Sequence, residues 1–194
     1  MLRRFDRVFS SHSTNKSSQN ITGDTLPGVA DQLHRLDQFQ WLNSQVLNHA
    51  KSYVCMSCVP NVKFEVFIQK SWPVVCRPDG GSIKPHTHRN AHLSAIFYVQ
   101  TEPDNKSGHV VFLAPFDFYR RSLPFPFASE ESEQNFVPLP GRLLIFPSSL
   151  LHYVSEYRGL NPRYSVSYDL TITCTPNESE EMMMSHPSTW LTSD

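Results

Sequence analysis

The sequence predicts a mainly β protein: a two-sheet jelly roll with helical support at its N-terminal side. Three observations carry this. Six short runs of branched and aromatic residues follow one another between turn signals. A single stretch before them repeats its apolar residues at steps of three or four. Fifteen prolines against seven glycines suit many short elements with proline-marked ends.

The amphipathic stretch comprises Val29, Leu33, Leu36, Phe39, Leu42, Val46, Ala50 and Tyr53. It reads as one helix over 29–53, or as two broken near Gln40, with its stripe against the outside of a sheet. The β runs are Phe64–Gln69, Trp72–Cys76, Leu93–Val99, His109–Ala114, Arg142–Phe146 and Tyr164–Thr173. Turns fall at Pro78–Gly81, Asp104–Gly108 and Arg158–Pro162. Phe116–Phe136 reads as a long irregular loop, a length at which loops often act as lids.

With 194 residues the chain suits one domain with a sizeable core. We expect a floppy tail over 1–25, the domain over 26–174 with its barrel at 64–173, and a polar tail over 175–194. A net charge of −1 gives no electrostatic reason to expect nucleic acid or an anionic membrane as partner. No apolar run reaches the roughly 18–20 residues that span a bilayer. The first nine residues mix arginine and apolar side chains as a weak organellar presequence does, but Asp6 argues against that, and a cytoplasmic location is expected. Cys55-Met-Ser-Cys58 is a single CxxC with no second pair, so free thiols in a reducing compartment are expected there rather than zinc.

The segment with most chemistry is Gly81-Ser-Ile-Lys-Pro-His86-Thr-His88-Arg-Asn-Ala-His92. In an extended chain residues two apart point the same way, so His86 and His88 can share a metal. Asn90 and His92 have the same parity and are candidates to line the same pocket, although a solvent-facing His92 is the plainer reading. Tyr98 also has this parity if no bulge intervenes, with core packing as its equal alternative. Trp72 is expected in the core, with substrate stacking as the secondary role. Further on, Pro140-Gly141 leads into a buried strand, a Pro147-Ser148 bend and His152. Eleven residues later come Arg163-Tyr164-Ser165, where Arg163 and Ser165 share a face and form a fork suited to a carboxylate.

The region from about Phe64 to Thr173 resembles the 2-oxoglutarate/iron(II) oxygenase family of marine phages and bacteria, a branch of the prolyl-hydroxylase-like superfamily. The resemblance lies in Trp72, His86-Thr-His88, Leu93–Val99, Gly108–Phe112, Gly141–Pro147, His152 and Arg163-Tyr-Ser165. It implies a double-stranded β-helix, a jelly-roll or cupin-like barrel, with Fe(II) at its open end. The usual metal site of the superfamily is His-x-Asp or His-x-Glu plus a distal His. By position His86 and His152 fill two slots, and His88 stands where the carboxylate would be. The resemblance favours ligation by His86, His88 and His152. The alternatives leave His88 behind the metal, or make the pair from His88-Arg-Asn90. Arg163, Ser165 and Tyr98 would hold 2-oxoglutarate, which with O₂ would yield succinate and CO₂ while an unidentified substrate is oxidised. Rival readings are a cupin-type metal protein without 2-oxoglutarate, and a metal-free binding module.

Overall fold

The computed structural model describes residues 21–22, 31–57, 61–78, 80–102, 107–113, 133–178, 181 and 183–193. Residues 1–20 and 23–25 of the expected tail, Cys58, and residues 116–132 of the loop expected at 116–136 lie outside these residues, whereas Ile21–Thr22 of the tail and Glu133–Phe136 of the loop are strands.

Two 3-10 turns, Leu33–Arg35 and Asp37–Phe39, lead into helix α1, Gln40–Ser57. The break near Gln40 is thus real, and residues 31–39 of the amphipathic stretch are not α-helical. The helix also runs four residues past Tyr53. Asn43 Nδ2 donates to the His34 carbonyl at 2.8 Å and ties the first helical turn to the turns before it. Ser44, Ser52 and Ser57 donate their hydroxyls to the carbonyls four residues back, which satisfies these polar side chains locally at a small cost to the helix ladder.

The strands are β1 Ile21–Thr22, β2 Glu65–Cys76, β3 Ile83–His86, β4 Leu93–Gln100, β5 Val110–Leu113, β6 Glu133–Phe136, β7 Leu143–Pro147, β8 His152–Val154 and β9 Arg163–Thr173. They form a five-stranded sheet, β1-β2-β9-β4-β7, and a four-stranded sheet, β3-β8-β5-β6, with every named pairing antiparallel. This is a double-stranded β-helix with a helix on one outer face. The two runs expected at 64–69 and 72–76 are one strand, β2, whose register shifts between Ile68 and Lys70. The bulge reverses parity: Val66 and Ile68 face the helix, whereas Lys70, Trp72 and Val74 line the interior.

Polarity across the large sheet explains how it folds. On β9, Val166, Tyr168, Leu170 and Ile172 belong to the cluster around α1, together with Leu93, Ala95, Phe97 and Val99 of β4. Leu42, Val46, Ala50 and Val54 form the buried stripe of α1 on this cluster. Each fully buried aliphatic side chain here contributes roughly 1.5–3 kcal/mol. The opposite face of β9 reads Arg163, Ser165, Ser167, Asp169, Thr171 and Thr173. It points into the barrel, and all but Ser167 are buried. The chain enters β7 from β6 through a tight turn in which Arg142 N donates to the Leu139 carbonyl at 3.0 Å, with Pro140 first and Gly141 second (φ +79) in its centre. That backbone suits a type II turn, where proline and glycine belong in this order.

The C-terminal segment returns to the sheet: Cys174 N donates to the Met184 carbonyl at 2.9 Å, and His186 packs edge-on against Phe67. Among the described residues no helix is long and apolar enough to cross a membrane.

Candidate metal centre

Both β3 and β8 are short strands of the small sheet, paired so that His86 stands opposite His152. Past His86 the chain leaves the sheet, and His88 N donates to the Ser148 carbonyl at 2.9 Å, which draws it against the Pro147-Ser148 bend. The three rings meet: centroid separations are 4.4 Å for His86–His152, 5.1 Å for His86–His88 and 5.3 Å for His88–His152. One ring nitrogen from each lies within 4.8 Å of the other two.

Each Nδ1 already has an oxygen partner. His86 Nδ1 lies 2.8 Å from the Lys84 carbonyl, His152 Nδ1 2.8 Å from the Leu150 carbonyl, and His88 Nδ1 2.7 Å from Asp169 Oδ1. Carbonyl and carboxylate oxygens accept, so Nδ1 carries the hydrogen in all three rings. That tautomer leaves three Nε2 lone pairs for a cation. Burial, with the neighbouring His86 and His88 adding to it, pushes the His152 imidazole down to about 4, although the Leu150 carbonyl and Asp169 oppose this. The ring is therefore neutral at pH 7 and available as a ligand. The donor set suits Fe(II), as it suits other divalent first-row metals.

The rings open on a cavity of about 520 Å³. Trp72, Val74, Ile83, Ile96, Phe146 and Val154 give it apolar walls, Ser94, Ser167 and Asp169 line the β4–β9 side, and Asp31 and Lys70 carry exposed charges among its lining. Trp72 is half-buried on this wall, its ring 5.7 Å from that of His88 and within 25° of parallel. Its expected core position is corrected by the β2 bulge. Asn90 and His92 do not line the cavity: residues 89–90 form a turn, so parity with His86 is lost. His92 is exposed, and its Nδ1 accepts from Ile172 N at 2.9 Å.

Arg163 is 1% exposed, at the far end of the same polar strand face. It donates from Nη1 to the Gly108 carbonyl and from Nη2 to Cys76 Sγ at 2.8 Å, and its Nε has no partner. The Tyr98 and Tyr157 rings flank it, with centroids 5.4 and 5.9 Å from Cζ, and the buried Tyr98 hydroxyl also lacks a partner. Burial pushes both the Cys76 thiol and the Tyr98 phenol up, so both stay protonated despite the guanidinium. Arg163 is thus a buried cation whose described neighbours are all neutral. Arg163, Ser165 and Tyr98 are not on the cavity wall. Ile83 and Val154, which are, pack on Cys76 and so stand one layer in front of the guanidinium.

A family profile described as "Putative 2OG-Fe(II) oxygenase" matches residues 70–169, just over half of the chain. The chain belongs to this 2OG-Fe(II) oxygenase family. No curated protein matches it in sequence. Among solved structures it is similar in fold to EvdMO1, with TM-score 0.52 and 12% identity over 87% of this chain and 42% of that one. A 2OG-Fe(II) oxygenase family oxidoreductase from Burkholderia pseudomallei gives TM-score 0.43 and 16% identity, covering 57% of this chain and 47% of that one. A Pseudomonas putida prolyl-4-hydroxylase gives TM-score 0.39 and 17% identity, covering 54% and 50%. The chain therefore spans about half the length of these proteins or less. The family assignment rests on the profile.

Asp169 is the site residue that sequence reasoning missed. The signal was available: an acidic residue inside a strongly β run, six positions from Arg163 and so on the same face of the strand.

Proposed function

We propose that this family member is an Fe(II)- and 2-oxoglutarate-dependent dioxygenase that hydroxylates a substrate not yet identified. The observation that carries the reading is the convergence of three imidazoles whose Nδ1 atoms are all committed to oxygen acceptors. His86, His88 and His152 hold the iron through Nε2. Arg163, with Ser165 and Tyr98, receives the distal carboxylate of 2-oxoglutarate: a buried guanidinium among neutral groups is stabilised by a carboxylate more than by any partner it has here. Bound iron supplies the O₂ chemistry; overall, 2-oxoglutarate, O₂ and a substrate C–H bond give succinate, CO₂ and a C–OH group. The chain's own part is to orient both partners and, through Trp72, Ile96, Phe146 and Val154, to keep water from the reacting atoms.

The test is anaerobic loading with Fe(II), followed by O₂ uptake and succinate formation with and without 2-oxoglutarate. Turnover of 2-oxoglutarate is expected, at a slow uncoupled rate even without substrate. Protein that binds no Fe(II) would sink the metal assignment.

A second reading, a cupin-type metal protein that does not use 2-oxoglutarate, is favoured by one observation: Arg163 stands behind Ile83 and Val154 rather than on the cavity wall. Iron-dependent O₂ uptake indifferent to 2-oxoglutarate would select it.

A further inference from the structure

The three imidazoles are not supported alike. His86 and His152 rest on backbone carbonyls, whereas His88 rests on a carboxylate. Asp169 is 8% exposed and accepts at Oδ1 from His88 Nδ1 at 2.7 Å and from Ser94 Oγ at 3.1 Å. Ser94 Oγ lies 2.9 Å from Ser148 Oγ, and the Ser148 carbonyl accepts the backbone N–H of His88. His88 is therefore gripped at its main chain by the β7–β8 bend and at its ring by β9, although it lies outside any strand itself.

Charge sharpens the point. Lys70 is the exposed cross-strand neighbour of Asp169, but among the described residues no lysine or arginine forms an ion pair with that carboxylate, and its one ionic contact is the His88 ring. A nearly buried carboxylate with only hydroxyl and imidazole N–H donors is costly unless a cation lies close by. Three neutral imidazoles, for their part, leave the charge of a divalent ion uncompensated. A carbonyl fixes a ring's tautomer as well as a carboxylate does, but the charged carboxylate, as the stronger acceptor, raises the donor strength of the ring further.

We infer that Asp169 is a positioning residue for the metal: through the His88 ring it supplies a negative charge one hydrogen bond away from the centre. The inference rests on the three-histidine reading of the site. Asp169→Asn keeps the size and a carbonyl oxygen for His88 Nδ1–H but removes the charge; Asp169→Ala removes both.

The experiment is an anaerobic titration of the purified full chain with Mn(II), following free Mn(II) by electron paramagnetic resonance, with Co(II) absorption as the report on ligand geometry. Asp169→Asn should weaken Mn(II) binding about 10–100-fold and Asp169→Ala at least as much, with altered Co(II) bands in both. Ser94→Ala, which leaves the carboxylate in place, should change affinity less than about threefold. A role limited to bridging β4 and β9 would shift melting temperature without moving metal affinity, and equal Mn(II) affinity in wild type and Asp169→Asn overturns the inference alone. Asp169→Asn carries the test if Asp169→Ala fails to fold. Wild-type protein that binds neither ion overturns the metal reading, and this inference with it.

Discussion

The two ends of the polar face of β9 handle charge in opposite ways. At one end Asp169 is an anion beside three imidazoles, each ring already held by an oxygen. At the other, Arg163 is a cation set among a carbonyl, a thiol and two phenol rings, with its Nε left over. On the proposed reading the first end receives a cation and the second an anion. A single small molecule with a metal-chelating head and a carboxylate tail would satisfy both, provided that Ile83 and Val154 give way to its tail, and neither end alone would specify it.

The comparison breaks most visibly at the histidines. His86→Ala or His152→Ala should lower Fe(II) affinity by more than about a thousandfold, since each removes one of three ligands; anaerobic titration with the fold checked by circular dichroism measures this. Next comes Arg163→Met. It should raise the half-saturating 2-oxoglutarate concentration about 100-fold or more, the cost of losing a charge-assisted fork. The stability of the protein without cosubstrate should change little or rise, because an unpaired buried charge is removed. Thermal melts with and without 2-oxoglutarate separate these effects, and a large loss of stability in the absence of 2-oxoglutarate would mean that Arg163 is structural.

Acid should expose the difference between the ends in another way. The His152 imidazole titrates at about 4 in the folded protein against an ordinary 6.5. On lowering pH the unfolded chain takes the proton first, so metal-free stability is complete above about 6.5 and is lost towards 4. The loss is on the order of 3 kcal/mol at most. Denaturant melts from pH 7 to 4 should show it, and His152→Gln should flatten the curve. The smallest effect is expected from Gly108→Ala. A Cβ there would lie 2.8 Å from Tyr157 Cδ2 and 3.2 Å from Arg163 Nη1, on a backbone at φ +65. About 1–3 kcal/mol of stability should be lost, with weaker 2-oxoglutarate binding and unchanged metal affinity. Equal weakening of both would show that the two ends are mechanically coupled.

Much of this was legible in the residues themselves. Alternation placed His86 beside His88, and the order His-x-His, Pro-x-Gly, His, Arg-x-Ser on a β background pointed to one barrel mouth. Alternation failed wherever the backbone broke step. The β2 bulge moved Trp72 from the expected core to the cavity wall, and the turn at 89–90 took Asn90 and His92 away from it. Asp169 was overlooked because β9 was read for its apolar residues, which face the helix, and its polar alternates were followed only as far as Ser165. Whether Arg163 reaches the cavity depends on packing among Ile83, Val154 and Cys76, residues far apart in the chain, and no local pattern encodes that.

A strand such as β9, which turns hydroxyls, a carboxylate and a guanidinium inward, has its oily side facing out. Without the segment from Leu33 to Val54, the valines, leucines and aromatic rings of β4 and β9 would meet water as one broad sticky surface. Fragments that begin after Ser57 should therefore clump during expression even though every strand of the metal-binding sheet is intact, so the helix is a solubility element of the fold as much as a buttress.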